Sequence, residues 1–173
     1  MSHATEHAIV ALARQSILHY LTHGELLNPP HDSPPEWHEA AGAFVSLKKR
    51  GALRGCIGTC VPTQAHLACE IIQNAVHAAI ADPRFPPLTL AELDGLEISV
   101  DVLTRPEKVD GNEHLDPRRH GVIVRAGPRV GVLLPDIAEV TSAEQQVAIA
   151  RRKAGIRPDE PVETYRFEVT RYH

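Results

Sequence analysis

Aromatic side chains are scarce in this chain, at 4% of 173 residues. The core must therefore rely on Ala, Val, Ile and Leu, and few rings remain to stack on bases or sugars. A large excess of one charge sign is also lacking, with 18 Lys and Arg against 22 Asp and Glu. A formal net charge of −4 argues against broad attraction to nucleic acid or anionic membranes. No stretch approaches the roughly 18–20 apolar residues that span a bilayer. Residues 1–6 lack the basic-then-apolar pattern of a secretory signal. Three cysteines, an odd number, do not make a disulfide framework in a chain of this size. A cytoplasmic, reducing compartment is the expectation. Glycine-rich phosphate loops are absent too: no Gly-x-Gly-x-x-Gly opens a helix, and no Gly-x-x-x-x-Gly-Lys occurs.

What is there reads as one globular domain over 1–173, since the chain is 43% hydrophobic and 23% charged. Residues 5–23 form an amphipathic helix, with Ile9, Leu12, Ile17, Tyr20 and Leu21 near helical spacing and Gly24 as its stop. Pro29, Pro30, Pro34 and Pro35 make the next stretch a surface connection, because proline removes amide donors. Residues 43–47 and 53–60 read as a β-hairpin around a Lys48-Lys49-Arg50-Gly51 turn. Gly55 and Gly58 interrupt the second strand, which implies a bulge or a close backbone approach. A helix over 63–81 carries an Ile71, Ala75, Ala78 stripe and ends at Asp82-Pro83. A strand over 96–103 and a hairpin of 121–125 with 129–134 follow. Thr141-Ser142-Ala143-Glu144 matches a capping box for a helix to about residue 153, and Gly155 fits its C-terminal cap. Residues 162–170 alternate as a last strand. Six strands, mostly in hairpins, with three helices and no repeated βαβ order predict an α+β fold: a mostly antiparallel sheet with flanking helices.

The segment Leu53-Arg54-Gly55-Cys56-Ile57-Gly58 resembles the LRGCIG signature of the AMMECR family. Further motifs in the same order extend the resemblance across about 130 residues: Phe44-Val45-Ser46-Leu47, Asp82-Pro83-Arg84-Phe85-Pro86-Pro87-Leu88, His120-Gly121-Val122, Leu133-Leu134-Pro135, Arg152-Lys153-Ala154-Gly155 and Tyr165-Arg166-Phe167. The resemblance implies two lobes, with the signature near the cleft between them. It names no reaction. Prokaryotic relatives are called AmmeMemoRadiSam system protein A, which implies a Memo-like protein and a radical SAM enzyme as partners. Cys60 and Cys69 match nothing in the family pattern.

Within the signature Cys56 is the sharpest candidate. Flanking glycines leave its thiol uncovered, and Arg54 or Arg84 can supply a cation for a thiolate or an anionic substrate. A small buried hydrophobe is the competing reading of the same cysteine. A nucleophilic Cys56 needs a base, for which His66, His77 and His120 are the candidates. No metal or cofactor is expected. Cys56 and Cys60 lie about 13 Å apart on a strand, and the pairs His3 with His7 and His19 with His23 read as a solvated helix face. Arg84 suits a ligand anchor or a structural cation at a helix C-terminus, and Phe85 suits the core. The favoured function is an accessory or binding protein. It offers Leu53, Arg54, Gly55, Cys56, Ile57, Gly58 and Arg84 to a small ligand or a partner enzyme. The alternative is an enzyme using Cys56 as nucleophile or redox thiol.

Overall fold

The computed structural model describes residues 6–173, which form two compact units. The first unit comprises residues up to Val102 together with Thr170–His173, and the second comprises Leu103–Val169. The expected α+β class holds in both: each has a four-stranded sheet, its hairpin pairs antiparallel, with helices packed against it. Among the described residues no helix is long and apolar enough to cross a membrane.

In the first unit the helices are α1 (Ala8–His23) and α2 (Leu67–Ile80), and the strands are β1 (Ala43–Lys49), β2 (Ala52–Thr59), β3 (Leu96–Leu103) and β8 (Val169–Tyr172). The strand order is β2-β1-β3-β8, which leaves β2 at an edge. Alternation along β1 sends Ala43, Val45 and Leu47 to the helix side, where they meet Ile71 and Ala75 of α2 and Ile9, Leu12 and Ile17 of α1 in one core. Each fully buried Ile, Val or Leu there contributes about 1.5–3 kcal/mol.

Helix α1 ends where expected, at Gly24 with φ 78°. The ring of His7 caps its start by accepting from the Ile9 N–H. Residue 5, the expected start of this helix, and His3, the expected partner of His7, lie outside the described residues. Helix α2 begins four residues later than its apolar pattern predicts. The amides of Thr63 and Gln64 donate instead to the buried Glu70 carboxylate, at 2.8 and 2.7 Å. His66, with φ −133° and ψ 142°, is extended, so the helix opens only at Leu67. The first hairpin turns on two residues, Arg50 (φ 52°) and Gly51 (φ 76°), so β1 continues through Lys49.

The second unit holds β4 (Glu107–Val109), β5 (Gly121–Ala126), β6 (Arg129–Leu133), α3 (Ala143–Lys153) and β7 (Glu163–Phe167), in the order β4-β7-β5-β6. Val122, Val124 and Leu133 pack against Val147 and Ala150 of α3. The α3 cap sits one residue later than predicted. Ser142 accepts from the Gln145 N–H, and the Gln145 side chain accepts from the Thr141 N–H at 2.9 Å. Among the described residues eight strands replace the expected six. Three-residue β4 has no alternation to reveal it, and the single strand expected over 162–170 divides at Glu168 into β7 and β8, which belong to different sheets.

Both anticipated glycine effects occur in β2. Opposite Leu47 and Lys48 the register runs from Gly55 to Leu53, so Arg54 is the extra residue of a bulge. A Cβ on Gly55 would land on the Ala78 carbonyl oxygen of α2, and one on Gly58 would land on the Phe44 ring. Close packing of α2 on β2 therefore requires Gly55. Gly55→Ala should lower stability by about 1–3 kcal/mol through overpacking. Gly95→Ala, which meets nothing within 4 Å, should stay within about 0.5 kcal/mol. Urea midpoints of the two variants check the difference.

Candidate functional site

An edge strand leaves alternate main-chain groups without a strand partner. At Cys56 they are taken up by side chains. Its N–H donates to Oδ2 of Asp82 at 2.9 Å, and Nη2 of Arg84 lies 3.5 Å from its carbonyl oxygen. Asp82 follows α2, and its Oδ1 accepts from the Arg84 N–H at 3.0 Å, closing an Asx turn over Pro83. Nε and Nη2 of Arg84 also donate to the carboxylate, at 3.0 and 2.7 Å. The Asp82 side chain is only 2% exposed, yet four donors surround it. The Arg84 guanidinium holds its carboxyl well below the usual range against the opposing pull of burial, aided by the Cys56 and Arg84 amides.

Arg84 pairs with this carboxylate rather than with a helix C-terminus. The guanidinium remains 55% exposed. Phe85, expected in the core, is half-buried instead. Its ring lies under two cations, with the Arg84 Cζ 5.6 Å and the Arg54 Cζ 6.0 Å from its centroid.

Bulging places Arg54 against the segment after α2. Nε and Nη2 donate to Glu92, both at 3.2 Å, and Nη1 donates to the Pro86 carbonyl at 3.0 Å. Only 13% of the Arg54 side chain is exposed. Glu92 also accepts from Lys49 Nζ at 3.0 Å and from the N–H and hydroxyl of Thr89. Arg54, then Thr89 and Lys49, bring its pKa from 4.5 down to about 2.

The Cys56 side chain faces away from the helices, half-buried, with Sγ 3.1 Å from Oγ of Ser46. Ser46 is the register partner of both Cys56 and Ser99, so a row of small polar residues crosses the sheet. Gly58 lies on the Cys56 side against Phe44. Ile57 packs on the core, and Leu53 is 40% exposed near the turn. Within the first unit neither His66 nor His77 is hydrogen-bonded to the sulfur. The His66 ring bonds to the His38 carbonyl, His77 lies in the last turn of α2, and His120 belongs to the second unit. No imidazole or carboxylate is hydrogen-bonded to Sγ among the described residues. Cys60 and Cys69 are half-buried, and no group of three or more His, Cys, Asp or Glu among the described residues is arranged to hold a metal. Ser46, Asp82 and Glu92 are the residues that sequence reasoning passed over. Only Asp82 carried a signal, as an acidic residue before proline at a helix end.

The AMMECR1 family model matches residues 10–173. A Thermotoga maritima protein is 49% identical over 170 residues, covering 96% of this chain and 98% of its own length. A Clostridium acetobutylicum protein is 45% identical over 165 residues, which are 94% of this chain and 35% of that protein. The crystal structure of the uncharacterized protein PH0010 from Pyrococcus horikoshii matches with a TM-score of 0.86 at 37% identity, covering 94% of this chain and 88% of that one.

Asp82 and Glu92 both bind a proton more weakly in the folded chain than their ordinary values dictate. Their stabilisation is therefore complete above the ordinary carboxylate range and is lost as pH falls through the folded values, for Glu92 between 4.5 and about 2. Asp82→Asn should cost about 1.5–3 kcal/mol at neutral pH, the scale of hydrogen bonds to a charged group. Glu92→Gln should cost about 1 kcal/mol, the upper range for partly exposed pairs. Urea midpoints from pH 7 to 2 should show a shallower acid limb in either variant than in the parent chain.

Proposed function

The chain belongs to the AMMECR1 family, and from that premise we propose that it is an accessory or binding protein. It presents the Cys56 side of the signature strand to a small ligand or to a partner enzyme. The observation that carries this reading is the sulfur's hydrogen-bond partner. A serine hydroxyl, Ser46 Oγ, is not basic enough to take a proton from a thiol at neutral pH, whereas nucleophilic chemistry needs an oriented base. The rest of the signature agrees. Arg54 of the signature is committed to Glu92, and Arg84 of the segment after α2 to Asp82, so the two pairs stiffen the strand and set its shape.

Rigid, edge-located and half-open to solvent, the strand suits recognition. The partners follow from the family's AmmeMemoRadiSam naming: a Memo-like protein and a radical SAM enzyme. A reducing, cytoplasmic setting belongs to the same reading, with the thiols of Cys56 and Cys69 outside any disulfide.

Co-expression with the Memo-like and radical SAM proteins of the same host, followed by affinity capture, tests the proposal. Wild type and Cys56→Ser should retain a partner equally. Ser46→Arg, which fills the face beside the sulfur, should weaken capture about tenfold or more, as expected for a central contact. Loss of capture in neither variant would count against this face. Selective alkylation of Cys56 over Cys60 and Cys69, with a midpoint well below about 8.5, would support a thiol enzyme instead.

A further inference from the structure

The second unit contains a cavity of about 460 Å³. Arg105, Arg119 and Arg166 line it, together with His120, Glu107 and Glu168. Buried Phe167 forms part of its wall. Three guanidiniums against two carboxylates leave one net positive charge when the imidazole is neutral.

Two of the arginines have counter-ions. Nε of Arg119 donates to Glu168 at 2.7 Å, and Arg166 donates to Glu107 at 3.2 and 3.3 Å. Both pairs are of the kind that a better-placed anion can replace, since the Glu107 and Glu168 side chains stand largely in solvent. Arg105 is different. It is exposed, and among the described residues its guanidinium has no hydrogen bond or ion pair. Its main chain is nevertheless held. Thr104 before it exchanges two hydrogen bonds with Glu168, at 2.9 and 2.8 Å, and Pro106 after it restricts its backbone. A charged side chain on an anchored backbone, without a counter-ion and facing a cavity, is organised for a ligand that supplies the charge.

His120 is the second, independent feature. The turn over residues 116–120 closes on itself, and the Asp116 N–H donates to Nδ1 of His120 at 3.0 Å. Accepting at Nδ1 leaves the neutral ring with its proton on Nε2. That nitrogen lies 3.7 Å from Oε1 of Glu168, beyond hydrogen-bond length, although the side chain is only 12% exposed. A donor of fixed direction therefore has no hydrogen-bonded partner and opens on the cavity that the arginines line.

We propose that this cavity binds a small oxyanion, the carboxylate or phosphate group of a small molecule, with Arg105 as anchoring charge and His120 Nε2–H as a directional donor. Arg119 supplies a planar fork that matches either group, and Arg166 adds the Nε–Nη2 edge when the anion displaces Glu107, its Nη1 staying on the His114 carbonyl at 2.9 Å. The site lies wholly within the second unit and does not depend on the role of Cys56.

Binding should register on His120 itself. Burial holds its pKa below 6.5, and Arg166 and Arg119 reinforce that, while Glu168 and Asp116 oppose it. An anion seated on the arginines offsets their repulsion, so the His120 midpoint should rise on ligation. The experiment is a titration of the full chain, labelled in its histidine rings, with inorganic phosphate, with malonate, and with chloride at matched ionic strength, followed by NMR. Saturable shifts of the His120 signal and a raised midpoint are expected with phosphate, malonate or both. Whichever binds identifies the headgroup. Arg105→Gln should weaken the apparent affinity about tenfold, the scale of one charge-assisted hydrogen bond. Because Arg105 is exposed and unpaired, the fold should be indifferent to the change. Shifts no larger than those with chloride, or equal binding by Arg105→Gln and wild type, would overturn the proposal.

Discussion

A buried carboxylate does the work of a missing strand in this protein. Strand β2 stands at the edge of its sheet, and Asp82 accepts the Cys56 N–H that a further strand would have received. Burying a carboxylate is costly unless it is paired and hydrogen-bonded. Arg84 and the two amides that reach Asp82 meet that condition. The arrangement ties the end of α2 to the middle of the signature, and Gly55 lets the same helix approach the same strand closely. A closed edge also resists pairing with another chain.

The bulge at Arg54 has a similar logic. One extra residue re-aims the chain so that a guanidinium meets Glu92 and the Pro86 carbonyl instead of solvent. Phe85 lies between this arginine and Arg84. An arginine next to a cysteine suggests thiolate activation when only order along the chain is known. In the folded chain Arg54 and Arg84 each pair with a carboxylate, and the sulfur lies beside a hydroxyl.

The two units use arginine in opposite ways. In the first, Arg54 and Arg84 are bound to carboxylates that are themselves multiply hydrogen-bonded. In the second, the arginines around His120 have exposed partners or none. Residue type does not separate these cases. The difference lies in how many donors converge on each acceptor and how far water reaches it.

Local order along the chain determined much of this protein. Apolar periodicity marked α1, α2 and β3, glycines marked the α1 stop and the crowding in β2, and the ordered motifs marked the family. Such features depend on neighbours within a few residues, so they survive without a fold. Tertiary structure alone decided the rest. The start of α2 depended on the extended backbone at His66, and the break at Glu168 depended on which sheet each half joined. The partners of Arg54, Cys56 and Arg84 depended on contacts made after the chain had turned back on itself. A charge or thiol takes its chemistry from the groups within about 4 Å, and distance along the sequence does not report that separation.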